Sequence, residues 1–167
     1  TKDDRETVEI KNAEKITARM KKNIVKRFPS MYMAAASMKF IPVREDIEFE
    51  TDGCSIFYSP HRTIKAFRSK RMKDLEYRYM HIMAHGLLGH FSMADEYECN
   101  PLMHAVMDYK VYMFLLTLGM SNTEPLKEGF ASSRKSLKKI YKDFSMDVRL
   151  KREMLESQKI IGQDDYK

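Results

Sequence analysis

Apolar positions recur every three or four residues through the first part of the chain. Val8, Ile10, Ile16, Met20, Ile24, Val25 and Phe28 fall on one side of a helix spanning about residues 4 to 28, which Pro29 must end. Ser30 then reads as the N-cap of a short helix, MYMAAASM, and KFIPV as an extended segment in which Pro42 argues against a central strand. The period changes to two in IEFETDGCSIFYSP. Ile47 and Phe49 alternate with acids, Asp52-Gly53 carries turn chemistry, and Ile56, Phe57 and Tyr58 resume an apolar strand that Pro60 closes. This is the chain's one clear hairpin. Two strands alone are marginal in water, so it must pack on helices.

Helical periodicity returns from about Thr63. In LEYRYMHIMAHGLLGHF the apolar residues run nearly all round, which marks a central helix, with Gly86 inside it and Gly89 as a C-terminal stop. A polar loop follows, and Pro101 suits the first turn of a second strongly apolar helix, 102–119. Beyond Glu124 the segments are charged and amphipathic with few apolar positions, as peripheral helices are, and GQDDYK reads as a frayed tail. The expected fold is α+β and mainly helical, with helices packed on a small β-hairpin or sheet. The expected organisation is a domain over 1–125, with 126–167 as peripheral C-terminal helices of that domain.

Composition changes this picture little. A chain of 167 residues, 43% apolar and 32% charged, suits one soluble core. The longest apolar runs are far short of the roughly 20 residues of a membrane helix. The charged opening TKDDRETVEIKN has no apolar region of a signal peptide, so a cytoplasmic location is expected. Cys54 and Cys99 form no C-x-x-C pair and read as reduced thiols. The net charge of +6 is densest in RTIKAFRSKRMK and RKSLKKIYK. Acids follow both stretches and no reader motif accompanies them, so solvated helix faces are expected there and nucleic acid is an unlikely partner.

Four of the five histidines lie between His81 and Asp108. A single histidine is usually a hydrogen-bonded core or surface residue, but four together point to a metal. His81 and His85 stand about 40° apart on one helix face, the spacing at which two imidazoles share an ion. A catalytic zinc keeps three protein ligands and a water, so a third ligand is required. Asp108 on the next helix is the better candidate. His90 can join only if Gly89 redirects the chain. His104, one turn before Asp108, reads as a ligand, as a residue orienting one, or as a satisfied interior histidine.

The segment TDGCSIFYSP, the helix bearing HIMAHGLLGHF and the helix bearing HAVMDYKVYMFLL together resemble the metallopeptidase-like domain found ahead of von Willebrand factor A-like domains in bacterial proteins. The likeness covers roughly residues 30 to 120. It places His81, His85 and His90 on that family's three histidines, Asp108 on its aspartate and Tyr58-Ser59-Pro60 on its turn. It implies a zincin-like fold, a zinc ion and a peptide or protein as the ligand, with the Asp52-Gly53 hairpin as a wall of the peptide cleft.

One departure weighs against hydrolysis. Ile82 stands where the family carries the glutamate that deprotonates the zinc-bound water, a group worth about 10²- to 10⁴-fold in rate. Asp95, Glu96 or Glu98 in the loop would have to serve as a substitute base. The expected function is therefore a zinc-binding, metallopeptidase-like domain that has lost its general base and binds a peptide or protein. The alternatives are an active zinc-dependent hydrolase with a substitute base and a metal-free basic helical binding module.

Overall fold

A computed structural model of the chain describes residues 2–93, 100–120 and 136–161. Seven helices and three strands lie within them: α1 (Lys2–Arg27), α2 (Tyr32–Ser37), β1 (Lys39–Pro42), β2 (Phe49–Thr51), β3 (Ser55–Tyr58), α3 (Pro60–Arg68), α4 (Met72–Leu87), α5 (Pro101–Thr117), α6 (Leu137–Met146) and α7 (Val148–Ile161). The fold is α+β and mainly helical, with one small mixed sheet. The chain forms two compact units, one running to Met83 and the other starting at Ala84, and the division falls inside α4. Among the described residues no helix is long and apolar enough to cross a membrane.

In the first unit α1 packs against α3 and buries Met20 and Ile24 of the face its periodicity marks, together with Ala13, while Val8 of that face stays exposed. Its end at Arg27 leads into a 3-10 turn, Pro29–Met31. Ser30 lies inside that turn, so it does not cap α2; the N-cap position is Met31, which offers no side-chain acceptor. The proline that stops α1 starts the turn one residue too early for the serine to act as a cap.

The sheet has the order β1-β3-β2. The expected hairpin is present, with β2 antiparallel to β3 and Thr51 opposite Ile56. The segment read only as extended joins it as a third strand, β1, parallel to β3 from Lys39↔Ser55 to Pro42↔Tyr58. Pro42 is tolerated because β1 is an edge strand and the proline ends it. At the hairpin tip Gly53 takes φ 89°, and the Asp52 carboxylate accepts from the amides of Cys54 and Ser55 at 2.8 and 2.7 Å. Those two bonds hold the Asp52 carboxyl below its usual range.

One face of the sheet is aromatic and meets α4 within the same unit. Phe40 lies 5.4 Å from both Phe49 and Tyr79 and 5.7 Å from Tyr58, ring centre to ring centre, in tilted and edge arrangements that rings prefer. Arg78 Nε donates to the carbonyl of Phe49. The sheet thus lies beside the helix that carries His81, as the hairpin's need for a packing partner requires.

Pro60 does not close β3; it opens α3 three residues before the expected start. Ser59 is the N-cap and accepts from Arg62 N, and proline at the first helical position gives up an amide that has no helical partner anyway. Between α3 and α4 the chain reverses through Lys70 at φ 57°, with Lys70 N donating to Phe67 O and Arg71 N to Ala66 O.

In the second unit α5 is buried nearly all round, and α6 and α7 pack on it. Leu102, Ala105, Val106, Tyr109 and Tyr112 form a cluster with Ile140 of α6, which Met113, Leu116, Tyr141 and Leu155 edge. Of the apolar positions of the charged C-terminal segments, Ile140, Tyr141 and Leu155 serve this cluster, while Met146 and Val148 stay exposed. Asn100 caps α5 by accepting from Met103 N, and its amide donates to Tyr141 Oη at 3.0 Å. Burial beside Tyr112 pushes the Tyr109 hydroxyl up to about 12.

Candidate metal centre

Two helices and one turn supply the histidine cluster. Residues on α4 bury every side of the helix from Tyr79 to His85, and His81 and His85 are 1% and 0% exposed. On α5, Asp108 is 0% exposed and His104 is buried one turn before it. A carboxylate and three imidazoles removed from water require partners, because an uncompensated buried polar group costs several kcal/mol.

His85 has a partner at each ring nitrogen. Its Nε2 lies 2.9 Å from Asp108 Oδ1, and its Nδ1 lies 2.8 Å from His90 Nδ1. Which nitrogen donates follows from the tautomer: with Asp108 ionised and His85 neutral, Nε2–H would donate to Asp108 and Nδ1 would accept from Nδ1–H of His90.

The turn that delivers His90 is a complete helix-terminating motif. Gly89 takes φ 73°, its N–H donates to Gly86 O, and His90 N–H donates to His85 O. These are the two backbone bonds of a Schellman motif, which folds the residue after the glycine back over the last turn. The pairing usually brings two apolar side chains together; here it brings His90 onto His85, with ring centres 5.0 Å apart.

Gly86 has its own reason. A Cβ there would come within 3.3 Å of the Phe91 ring, which lies 6.2 Å from the His85 ring. Glycine in the last turn of α4 thus leaves room for Phe91 beside His85. Phe91 is a member that the sequence flags only through this otherwise costly glycine.

His81, His85 and Asp108 each offer a ligand atom, and these atoms all lie within 4.8 Å of one another. The three form a possible metal-binding triad. The donor set, two imidazoles and a carboxylate, is one that zinc and other first-row divalent ions accept. His90 and His104, although buried, are not part of this group of three. His90 acts on His85 instead, as its hydrogen-bond partner.

Ile82, in the position after His81, is 0% exposed and packed in the core. Asp95, Glu96, Glu98 and Cys99 lie outside the described residues. Cys54 is an exposed thiol at the hairpin tip. Comparisons with protein-family models, with curated proteins and with solved structures give no match.

Proposed function

We propose that this chain is a zinc-binding domain of the zincin-like metallopeptidase lineage that has lost its general base and acts by binding a peptide or protein. The convergence of His81, His85 and Asp108 carries the reading. It unites residues 27 positions apart in the order that the resemblance requires. His81 and His85 would supply imidazole nitrogens and Asp108 a carboxylate oxygen, and bound zinc would supply Lewis acidity at the remaining position.

His90 fits this as the residue that orients His85. When Nε2 of His85 faces a cation, its proton resides on Nδ1 and donates to His90, the kind of outer hydrogen bond that fixes a ligand's tautomer. Ile82 can neither take nor give a proton, so the residue chemistry supports binding over turnover. β1 and β2 are the edge strands of the sheet, the position at which an extended peptide would add a further strand.

The second reading, a metal-free buried network, is favoured by one observation: both ring nitrogens of His85 are already engaged by His90 and Asp108. Metal content separates the two, because only the first requires a stoichiometric ion. Hydrolysis tests the loss of function. The protein loaded with zinc is expected to show no cleavage of casein or of a mixed peptide library above buffer. Zinc-dependent cleavage that His85→Ala abolishes would contradict the degenerate reading and support a hydrolase with a substitute base.

A further inference from the structure

The acids and bases of α1 have separate uses. Its acids cluster toward the N-terminal half, where Glu6 pairs with Arg44 at 2.9 Å and Glu9 with His61 at 3.4 Å. Five of its nine bases form a line. Lys11, Lys15, Arg19, Lys22 and Lys26 follow spacings of four, four, three and four, so they occupy a sector of about 80° over roughly 22 Å of helix, and no other side chain between 11 and 26 enters that sector. All five are exposed, and none makes an ion pair among the described residues. The linear sequence hides this row because Glu14, Ala18 and other residues of different faces stand between its members.

Beside the row runs a groove of about 560 Å³ between α1, α3 and the start of α4. Lys15 and Arg19 form its rim, Ile16, Met20, Met72 and Phe67 its apolar surface, and the one acid on it, Glu76, is paired with Arg27. Phe67 is 47% exposed, an aromatic ring half in water at the lip of an apolar cleft.

We propose that this face of α1 and α3 binds single-stranded nucleic acid, with the cation row tracking the phosphates and Phe67 stacking a base. A row of fixed, evenly spaced cations suits a polymer whose charge repeats by covalent structure. The aromatic beside it distinguishes a single strand, whose bases are free to stack, from a duplex. The site lies wholly in the first unit and does not depend on the metal reading.

The test uses the full chain and a fluorescent oligothymidine of about 15 nucleotides, long enough to cover one such site. Binding is expected to weaken with salt at a slope of about −3.5 in log K against log salt, about 0.7 for each of five phosphates. Lys15→Glu with Arg19→Glu should lower affinity at least tenfold and bring the slope to about −2. Phe67→Ala should weaken binding about fivefold or more and leave the slope unchanged, which separates stacking from charge. Lys139→Glu with Lys142→Glu, exposed cations on α6, should leave both quantities unchanged. Circular dichroism confirms that each variant is folded. The proposal is overturned if the α6 reversal weakens binding as much as the α1 reversal, if Phe67→Ala binds like wild type, or if duplex DNA or poly-glutamate of matched charge binds as tightly as the single strand.

Discussion

His90 Nδ1 lies 2.8 Å from His85 Nδ1 because Gly89 turns the chain back on the end of α4. A side chain nine residues from His81, on the far side of any continued helix, thereby becomes part of the same buried cluster. The backbone motif, not helical spacing, makes His90 available to the site. Asp108 Oδ1 holds the other side of the His85 ring at 2.9 Å, so the imidazole is oriented from both ends.

Gly89→Ala tests this directly. An alanine at φ 73° carries the steric penalty of the left-handed region, so the expected loss of stability is about 1–2 kcal/mol. The same change should shift the His90 and His85 ring resonances in NMR spectra. Unchanged ring shifts at a lowered melting temperature would show that the turn does not position His90.

Ile82 marks the other limit of the site. Ile82→Val should cost about 0.5–1.5 kcal/mol as an ordinary core truncation. Ile82→Glu buries a carboxyl whose charged form is penalised, so its pKa rises and it destabilises by several kcal/mol. Because a raised carboxyl pKa costs stability only where the unfolded chain is ionised, the deficit should be greater at pH 7 than at pH 4 in urea denaturation. Equal deficits at both pH values would mean that residue 82 reaches water.

Lys70 is the one described non-glycine residue with positive φ. It occupies the position between α3 and α4 that Gly89 and Gly119 hold after α4 and α5. Lys70→Gly should therefore stabilise the protein by about 0.5–1 kcal/mol, the relief of strain exceeding the extra freedom of glycine in the unfolded chain. A lower melting temperature would indicate that the Lys70 side chain contributes more than its backbone costs.

The Asp52 carboxylate accepts two amide bonds at the hairpin tip, which lowers its pKa below 3.8. A depressed carboxyl contributes stability above its unfolded pKa and loses it as pH falls through the folded one. Asp52→Asn should therefore cost about 0.5–1 kcal/mol at pH 7, limited by solvent screening at this exposed turn, and progressively less as the pH falls through the folded pKa of Asp52. A cost that does not change with pH would mean that the geometry of the turn, and not the charge, is what Asp52 supplies.

Periodicity was enough to locate α1, the hairpin, α4 and α5, because each buries a face wide enough to pattern ten or more residues or alternates cleanly about a turn. It failed where a local signal serves two uses. Pro60, which reads as the close of a strand, begins a helix, and Ser59, not Ser30, proves to be a cap. β1 was legible only as extended because a strand of four residues at an edge needs little pattern; its partner is set by the aromatic packing of Phe40. At the site, the spacing of His81 and His85 and the polarity of Asp108 in an apolar helix were visible in the chain. The turn at Gly89 that admits His90 was visible too, but its pairing with His85 Nδ1 and the place of Phe91 were not, since they depend on the shape of the backbone and the space beside Gly86.

Elemental analysis of the purified protein decides whether His81, His85 and Asp108 hold an ion. Close to one zinc per wild-type chain is expected, retained through dialysis at neutral pH, with loss of that zinc in His85→Ala and Asp108→Ala. Chelation should lower the wild-type melting temperature by several degrees, as expected when an ion binds only the folded state. Wild-type protein with no stoichiometric metal, and a melting temperature that neither chelator nor added zinc moves, would contradict zinc binding and leave His85, His90 and Asp108 as a buried hydrogen-bond network.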